Sequence, residues 1–134
     1  GRFEYAYLVA SGDNLSAGKI RVKGEVFFAH RPKEHGDNPV VILFKVIRLL
    51  FESLRVLRKA RPDAVVSAGP GLAVPVSLLG KAAGKKVIFL ESWSRVYRAS
   101  SSGKIMYRFA DLFFIQWPEL ARVYPRAIYA GRLP

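Results

Sequence analysis

The sequence contains no cysteine and only two histidines in its 134 residues. A chain without cysteine forms neither disulfides nor thiolate metal sites, and its composition is typical of a reducing compartment. The histidines, His30 and His35, lie five residues apart in a predicted loop, which is a poor arrangement for zinc. We therefore expect neither a metal nor another cofactor.

Long apolar runs and acidic residues are also scarce. No run reaches the roughly 18 residues of a membrane span, because Lys45 and Arg48 interrupt the longest one, Val40 to Phe51. Lysine and arginine total 22 against 10 acidic residues, a formal net charge of +12. Such a surplus favours nucleic acid, an acidic membrane or phosphorylated ligands. No nucleic-acid recognition motif is present, so we expect no nucleic-acid partner. On net charge alone, a basic nucleic-acid module is a further hypothesis, beside the two given at the end of this subsection.

What the sequence does contain is an alternation of short β-rich runs with longer helical ones. This alternation predicts an α/β protein with a mostly parallel, doubly wound sheet, in a single domain over residues 1–134. The predicted strands cover residues 3–10, 25–29, 63–67, 86–91, 111–116 and 127–129. The predicted helices cover residues 39–60, 73–83 and 103–109, with a helical turn over 118–123.

The most informative turn is Gly69-Pro70-Gly71, which follows a short apolar strand and precedes a helix. Such a turn lets the backbone approach an anion, and the next helix offers unpaired N–H groups. Glycine and proline are also ordinary turn residues, so the triplet alone is a weak signal. Polar residues follow other predicted strands as well, including Glu91 and Gln116. In a parallel sheet these residues would converge on one crevice at the carboxyl edge.

Residues near Glu91 are candidates for the chemistry of that crevice. Glu91 is a candidate general base or ligand of a sugar hydroxyl; the alternative is a strand-end carboxylate paired with Arg95. Arg95, together with Ser100, Ser102 and Gly103, suits a diphosphate. The alternative for these residues is a solvated basic loop with a serine cap before a helix.

The predicted helix over residues 39–60 has one polar stripe and an apolar arc wider than a core-facing helix needs. A basic stripe beside surplus apolar surface is typical of a helix at a membrane interface. The alternative is a helix wedged between the sheet and a neighbouring element. The predicted membrane contacts lie in its N-terminal half: Val41, Phe44, Lys45, Ile47, Arg48 and Phe51.

Several short motifs now form a recognisable order. They are Asp13-Asn14-Leu15-Ser16-Ala17-Gly18-Lys19, His30-Arg31-Pro32, Arg61-Pro62-Asp63, Gly69-Pro70-Gly71, Glu91-Ser92, Ser102-Gly103-Lys104-Ile105, Gln116-Trp117-Pro118-Glu119-Leu120, Tyr124-Pro125 and Gly131-Arg132. The chain resembles the membrane-anchoring, acceptor-binding subunit of the two-component UDP-N-acetylglucosamine transferase of dolichol-linked oligosaccharide synthesis. It is similar also to related subunits of bacterial polysaccharide synthesis.

The resemblance implies a Rossmann-like N-terminal half of a GT-B glycosyltransferase. In that family this half binds the membrane and the polyprenyl or dolichyl diphosphate acceptor at the cytoplasmic face, of the plasma membrane in a prokaryote or the endoplasmic reticulum in a eukaryote. A separate donor-binding subunit holds the UDP-sugar. By this resemblance Gly69, Pro70 and Gly71, with Arg95, Ser100, Ser102 and Gly103, surround the acceptor diphosphate. The C-terminal residues Tyr129, Gly131, Arg132 and Leu133 would contact the partner.

The sequence departs from the family at its start. Family members begin with a hydrophobic anchor or strand and a Gly-Gly-His loop, which do not precede Phe3 here. We therefore expect the fold to lack its first strand and part of its acceptor site. Glu91 is the catalytic candidate that we name; His30 could also be an acid or base, but no partner for it is visible in the sequence. Two functions stay open: a glycosyltransferase subunit active with its partner, and a non-catalytic scaffold that recruits a soluble transferase subunit to the membrane.

Overall fold

The computed structural model describes residues 4–10, 18–21, 23–29, 36–67, 73–92 and 94–131. The chain divides into two compact units, residues 1–62 and 63–134. Each unit contains a parallel β-sheet. The single domain expected over the whole chain stays a prediction.

The first unit contains a pair of parallel strands, β1 (Tyr5–Ala10) and β2 (Gly24–Ala29). Their register places Tyr5 beside Gly24 at one end and Ala10 beside Ala29 at the other. A Cβ atom at Gly24 would collide with the backbone carbonyl of Tyr5. The close approach of the two backbones at this point therefore requires glycine.

The long helix of the first unit, α1 (Pro39–Ala60), has the bounds that the sequence predicts. It begins where the side chain of Asn38 accepts a hydrogen bond of 2.9 Å from the amide of Val41, with proline in the first turn. It ends at Arg61, which has a left-handed φ of 46° and donates its N–H to the carbonyl of Leu57. Both ends thus carry local capping signals, which explains why the bounds were predictable.

The second unit contains four parallel strands in the order β3-β4-β5-β6. Since the spatial order follows the chain order, each strand is joined to its neighbour by one crossover, and the first two crossovers carry α-helices. The elements are β3 (Ala64–Ser67), α2 (Ala73–Ala82), β4 (Lys86–Leu90), α3 (Ser101–Phe109), β5 (Leu112–Ile115), a 3-10 helix (Pro118–Arg122) and β6 (Ile128–Tyr129). This arrangement confirms the predicted α/β class with parallel strands.

The core of the second unit lies between the central strands and the helical segments. Burial alternates along β4 and β5, so that Phe89 and Phe113 point to the same side and stack with ring centroids 5.2 Å apart. Tyr124 packs against Phe113 at 4.6 Å. The buried side chains of this core are Val87, Phe89, Met106, Phe113, Ile115, Leu120 and Tyr124.

Asp111 connects three elements at the amino-terminal end of this sheet. Its carboxylate accepts hydrogen bonds of 2.7 Å from the amide of Val87 and from Nζ of Lys81. The Lys81 contact, followed by the Val87 amide, lowers the pKa of Asp111. One side chain thereby joins the start of β4, the start of β5 and the end of α2.

Candidate functional site

Three buried polar residues mark the carboxyl edge of the second sheet. Ser67 ends β3, Glu91 directly follows β4, and Gln116 directly follows β5. Because β3, β4 and β5 are parallel neighbours, these three residues lie at the same edge of the sheet. The predicted crevice at this edge stays a prediction. Gly69, Pro70, Gly71 and His30 lie outside the described residues.

The carboxylate of Glu91 is fully buried, with 0% of the residue exposed, and it accepts four hydrogen bonds. Its Oε1 accepts from the amide of Ser92 at 3.0 Å and from the hydroxyl of Ser100 at 2.7 Å. Its Oε2 accepts from the amide of Ser100 at 3.1 Å and from the hydroxyl of Tyr124 at 2.8 Å. Each oxygen therefore has two donors, which offsets the cost of burying this acid.

The backbone of Glu91 is also held on both sides. Its amide donates to the carbonyl of Phe114 at 2.9 Å, and its carbonyl accepts from Nε2 of Gln116 at 3.0 Å. The alternative reading of Glu91, an ion pair with Arg95, is not among the contacts of this carboxylate in the described part of the chain. Its catalytic role stays a prediction, and its burial favours a structural task.

Ser100 connects the Glu91 carboxylate to the start of α3. Its hydroxyl donates to Glu91 and accepts from the amide of Gly103 at 2.9 Å, which makes Ser100 the N-cap of the helix. This cap is why α3 begins at Ser101, two residues earlier than the sequence indicates. By helix geometry the amides of Ser101 and Ser102, in the first turn, have no intrahelical acceptor.

Position 103 has no room for a side chain, because the Glu91 carboxylate lies next to it. A Cβ atom at this position would lie 2.5 Å from the hydroxyl oxygen of Tyr124 and closer still to Oε2 of Glu91. The structure thus assigns Gly103 a packing reason for being glycine. Its predicted contact with a diphosphate is not tested by this observation.

Tyr124 is the residue of this cluster to which the sequence reasoning assigned no role. Burial, followed by the hydrogen bond to Glu91 and its charge, raises the pKa of the Tyr124 hydroxyl well above its usual value. The hydroxyl therefore stays a proton donor to Glu91 at any physiological pH. No sequence signal could have paired these residues, which stand 33 positions apart.

Several exposed basic residues stand close in the sequence to the start of α3. Arg95, Arg98 and Lys104 are all exposed, and the amide of Arg95 closes a turn by donating to the carbonyl of Ser92 at 3.0 Å. Ser102 is half-buried in the first turn of the helix. Positive charge beside open helix amides is an arrangement that can bind a phosphate group. Of the predicted diphosphate ligands, Arg95 and Ser102 have side chains that remain available for such contact.

The described ranges contain no group of three histidine, cysteine, aspartate or glutamate side chains that could hold a metal ion. None of the helices within those ranges has both the length and the apolarity to cross a membrane.

Helix α1 carries an apolar stripe on the side away from its buried residues Leu49 and Ser53. The spacing of three and four residues keeps these side chains on one face. Phe44 and Phe51 are 67% and 70% exposed. The exposed apolar stripe consists of Val40, Leu43, Phe44, Ile47, Leu50, Phe51 and Leu54.

The predicted membrane contacts fall unequally on this helix. Val41, Phe44, Ile47 and Phe51 are exposed, as a contact surface requires. Lys45 is half-buried and forms an ion pair of 2.8 Å with Asp37, whereas Arg48 is exposed and pairs with Glu52 at 3.2 Å. The stripe also includes residues that the prediction omitted, among them Leu43.

The predicted partner-contact segment begins in the last strand. Tyr129 ends β6 and is 49% exposed, and Gly131 has a φ of +101°, which favours glycine. Arg132 and Leu133 lie outside the described residues.

The fold and the strand-edge site define a class first: an α/β, Rossmann-like domain. A solved structure with this fold is that of MurG from Acinetobacter baumannii, with a TM-score of 0.56 at 16% identity. The match covers 87% of this chain and 42% of the MurG chain. It confirms the fold expected for one half of a GT-B protein.

The particular family follows from the sequence comparisons. The family model described as oligosaccharide biosynthesis protein Alg14 like matches residues 2–133, so the chain belongs to this family. It is 32% identical over 148 residues to the UDP-N-acetylglucosamine transferase subunit ALG14 of Homo sapiens, covering 95% of this chain and 68% of that protein. It is 34% identical over 142 residues to the subunit of the same name in Schizosaccharomyces pombe, with 94% and 68% covered. The resemblance read from the sequence is confirmed.

Proposed function

We propose that this protein is the acceptor-binding subunit of a glycosyltransferase that moves N-acetylglucosamine from a UDP donor to a polyprenyl or dolichyl diphosphate-linked acceptor. The observation that carries this proposal is membership of the Alg14-like family over residues 2–133. Its relatives in Homo sapiens and Schizosaccharomyces pombe are named as subunits of a UDP-N-acetylglucosamine transferase. A glycosyltransferase subunit is therefore the enzymatic class of this chain.

The carboxyl edge of the second sheet is where we place the acceptor diphosphate. Support comes from the amides of Ser101 and Ser102, which have no intrahelical acceptor, and from the exposed Arg95, which stands five residues before the N-cap Ser100 in the sequence. In the sequence, residues 69–71 come shortly after Ser67, the last residue of β3, and they lie outside the described residues. The role of its Gly69, Pro70 and Gly71 as a second wall is part of the proposal.

The exposed apolar stripe of α1 is our proposed membrane contact. Its occupant is the surface of an acidic bilayer at the cytoplasmic face, since the chain carries a net charge of +12 and the exposed Arg48 and Arg55 lie beside the stripe. Apolar side chains would enter the acyl region while these cations face lipid phosphates. A surface helix of this kind binds a membrane without crossing it.

The donor nucleotide belongs, in this proposal, to a partner subunit that docks on the C-terminal segment. The exposed side chain of Tyr129 and the following Gly131 support an accessible surface there. With the UDP-sugar held by the partner, this chain alone would transfer no sugar.

One observation favours the second candidate, a non-catalytic scaffold that only recruits a soluble subunit to the membrane. Glu91, the catalytic candidate named from the sequence, is fully buried and each of its carboxylate oxygens accepts two hydrogen bonds. If the partner supplied the whole active site, this burial would have no consequence for catalysis.

The test is a transfer assay with radiolabelled UDP-N-acetylglucosamine and a polyprenyl diphosphate-linked N-acetylglucosamine in detergent. The protein, expressed from its complete reading frame, is assayed alone, with its donor-binding partner, and as Arg95→Ala in the pair. We expect transfer only by the pair and a higher acceptor KM for Arg95→Ala. Arg108→Ala, an exposed arginine in the last turn of α3, is the matched control and should leave the acceptor KM unchanged.

Robust transfer by the single chain would contradict the two-subunit assignment. An unchanged acceptor KM in Arg95→Ala would contradict the diphosphate site. If removal of Tyr129 onward abolished activity while every variant at the strand edge kept the wild-type acceptor KM, the scaffold function would hold instead.

A further inference from the structure

We infer that Glu91 and Tyr124 are positioning residues that together hold the loop 92–100 and the first turn of α3 in the shape that receives the acceptor. The inference rests on the proposed function, which places the acceptor diphosphate at this edge. It assigns Glu91 a task other than acid–base chemistry, and it gives Tyr124 a role in substrate binding.

The carboxylate of Glu91 closes the loop at both ends. Ser92 begins the loop and donates its amide to Oε1, while Ser100 ends it and donates both its amide and its hydroxyl. The exposed cations Arg95 and Arg98 lie between these two clamps. Loss of the Glu91 carboxylate would therefore release the segment that carries Arg95 and Arg98, although neither side chain bonds to that carboxylate in the described part of the chain.

Glutamine cannot replace Glu91 without losing part of this hydrogen bonding. Each carboxylate oxygen faces one backbone N–H, from Ser92 at Oε1 and from Ser100 at Oε2. The NH₂ group of a glutamine would meet an N–H donor in either orientation of the amide. A hydroxyl can rotate away from such a conflict, whereas a backbone amide cannot. The position requires a hydrogen-bond acceptor at both Oε1 and Oε2, and an ionised carboxylate provides two such oxygens.

The hydrogen bonds of Glu91 also connect distant parts of the second unit. Tyr124 follows the 3-10 helix, and its carbonyl accepts from the amide of Ala127 at 3.0 Å just before β6. Its hydroxyl donates to the same oxygen of Glu91 that receives the amide of Ser100. The chain that leads into the proposed partner segment is thus hydrogen-bonded to the loop of the proposed acceptor site. Docking of the donor-binding partner at Tyr129 would be transmitted to that loop through this bond.

The experiment measures KM for the acceptor and for UDP-N-acetylglucosamine separately in the reconstituted pair. Glu91→Gln should raise the acceptor KM roughly tenfold, which is the factor expected for one lost hydrogen bond to a charged group. Tyr124→Phe should raise it less. Ser100→Ala, which removes the hydroxyl that donates to Glu91, should also raise it. The donor KM should change by less than about twofold in every variant, because the partner holds the donor.

Val87→Ala is the matched control, since it truncates a buried side chain on β4 without touching the clamp. It should lower the melting temperature and leave the acceptor KM unchanged. Tyr124→Phe decides the question if Glu91→Gln does not fold, because phenylalanine keeps the ring that packs between Tyr107 and Phe113 at 4.9 and 4.6 Å.

The outcomes separate this inference from the proposed function. A wild-type pair that transfers no sugar would overturn the proposed function and this inference with it. A wild-type pair that is active, with variants that lower only the melting temperature or the active fraction at an unchanged acceptor KM, would overturn the positioning role alone. An equal rise in both KM values would likewise contradict it.

Discussion

The hydroxyl of Tyr124 donates a hydrogen bond of 2.8 Å to Oε2 of Glu91, joining two residues that stand 33 positions apart in the chain. The same oxygen accepts the amide of Ser100 at the start of α3. Oε2 of Glu91 therefore links Ser100, at the start of α3, to Tyr124, in the segment before β6.

Gly103→Ala should destabilise the second unit, because the added methyl group would overlap the Glu91 carboxylate and the Tyr124 hydroxyl. Overpacking of this kind costs roughly 1–3 kcal/mol of the free energy of unfolding. Chemical denaturation monitored by circular dichroism measures the loss. Gly18→Ala is the same substitution at a site where a Cβ atom meets nothing within 4 Å. Equal stability of the two variants would show that the packing around Gly103 is not as described.

Tyr124→Phe should lower the free energy of unfolding by roughly 2 kcal/mol near neutral pH, the usual loss for a hydrogen bond to a charged acceptor. Burial and the neighbouring Glu91 raise the folded-state pKa of this phenol above its usual value near 10, with a smaller opposing effect of Arg95. A raised folded pKa gives stability that is complete below pH 10 and is lost as the pH rises further.

The measurement is the difference in unfolding free energy between wild type and Tyr124→Phe from pH 8 to pH 11. The difference should stay constant up to about pH 10 and then shrink by at most about 1.4 kcal/mol per pH unit. The remaining five of the six tyrosines are common to both proteins and cancel in the difference. A difference that grows with pH would contradict the assignment of Tyr124 as the donor.

Asp111→Asn should remove part of the acid sensitivity of the second unit. The Lys81 contact, followed by the Val87 amide, lowers the folded-state pKa of Asp111, so its stabilisation is complete above the ordinary carboxyl pKa and is lost as the pH falls below it. Thermal melts between pH 6 and pH 2.5 should show a steeper decline for wild type than for the variant. Asp63→Asn, an exposed aspartate just before β3, is the control and should keep the wild-type decline.

Replacing Phe44 and Phe51 by serine should weaken binding to acidic vesicles. Both rings are exposed on the apolar stripe of α1, and burying one in lipid stabilises binding enough for roughly a tenfold change in affinity per ring. Sedimentation with phosphatidylglycerol vesicles measures the effect, and added salt should weaken binding of wild type as the cations are screened. Phe109→Ser, at an exposed ring on α3, is the control. Equal vesicle binding by all three proteins would exclude the α1 stripe as the membrane contact.

The elements were predictable where their signals are local. Asn38-Pro39 begins α1 and Arg61-Pro62 follows it, and capping at these points depends only on neighbouring residues. The start of α3 was placed two residues late because Ser100 caps the helix while hydrogen-bonded to Glu91, and that contact is not visible in the local pattern.

The location of the candidate site at one edge of the sheet was predictable from the sequence, whereas the burial of Glu91 was not. Alternation of strands and helices indicates a parallel sheet, and a parallel sheet brings Ser67, Glu91 and Gln116 to one edge. Whether Glu91 faces solvent or the interior depends on Tyr124, which the fold alone brings close. A single sequence carries no signal for that long-range pair.

The central claim is that this chain holds the lipid acceptor while its partner holds the nucleotide sugar. The most direct measurement is photo-crosslinking of the active pair with two probes, a photoreactive polyprenyl diphosphate-linked N-acetylglucosamine and a photoreactive UDP-N-acetylglucosamine, followed by mass spectrometry of the labelled peptides. The account predicts that the lipid probe labels this chain within residues 92–104 and that the nucleotide probe labels the partner. Labelling of this chain mainly by the nucleotide probe, with the lipid probe on the partner, would contradict it.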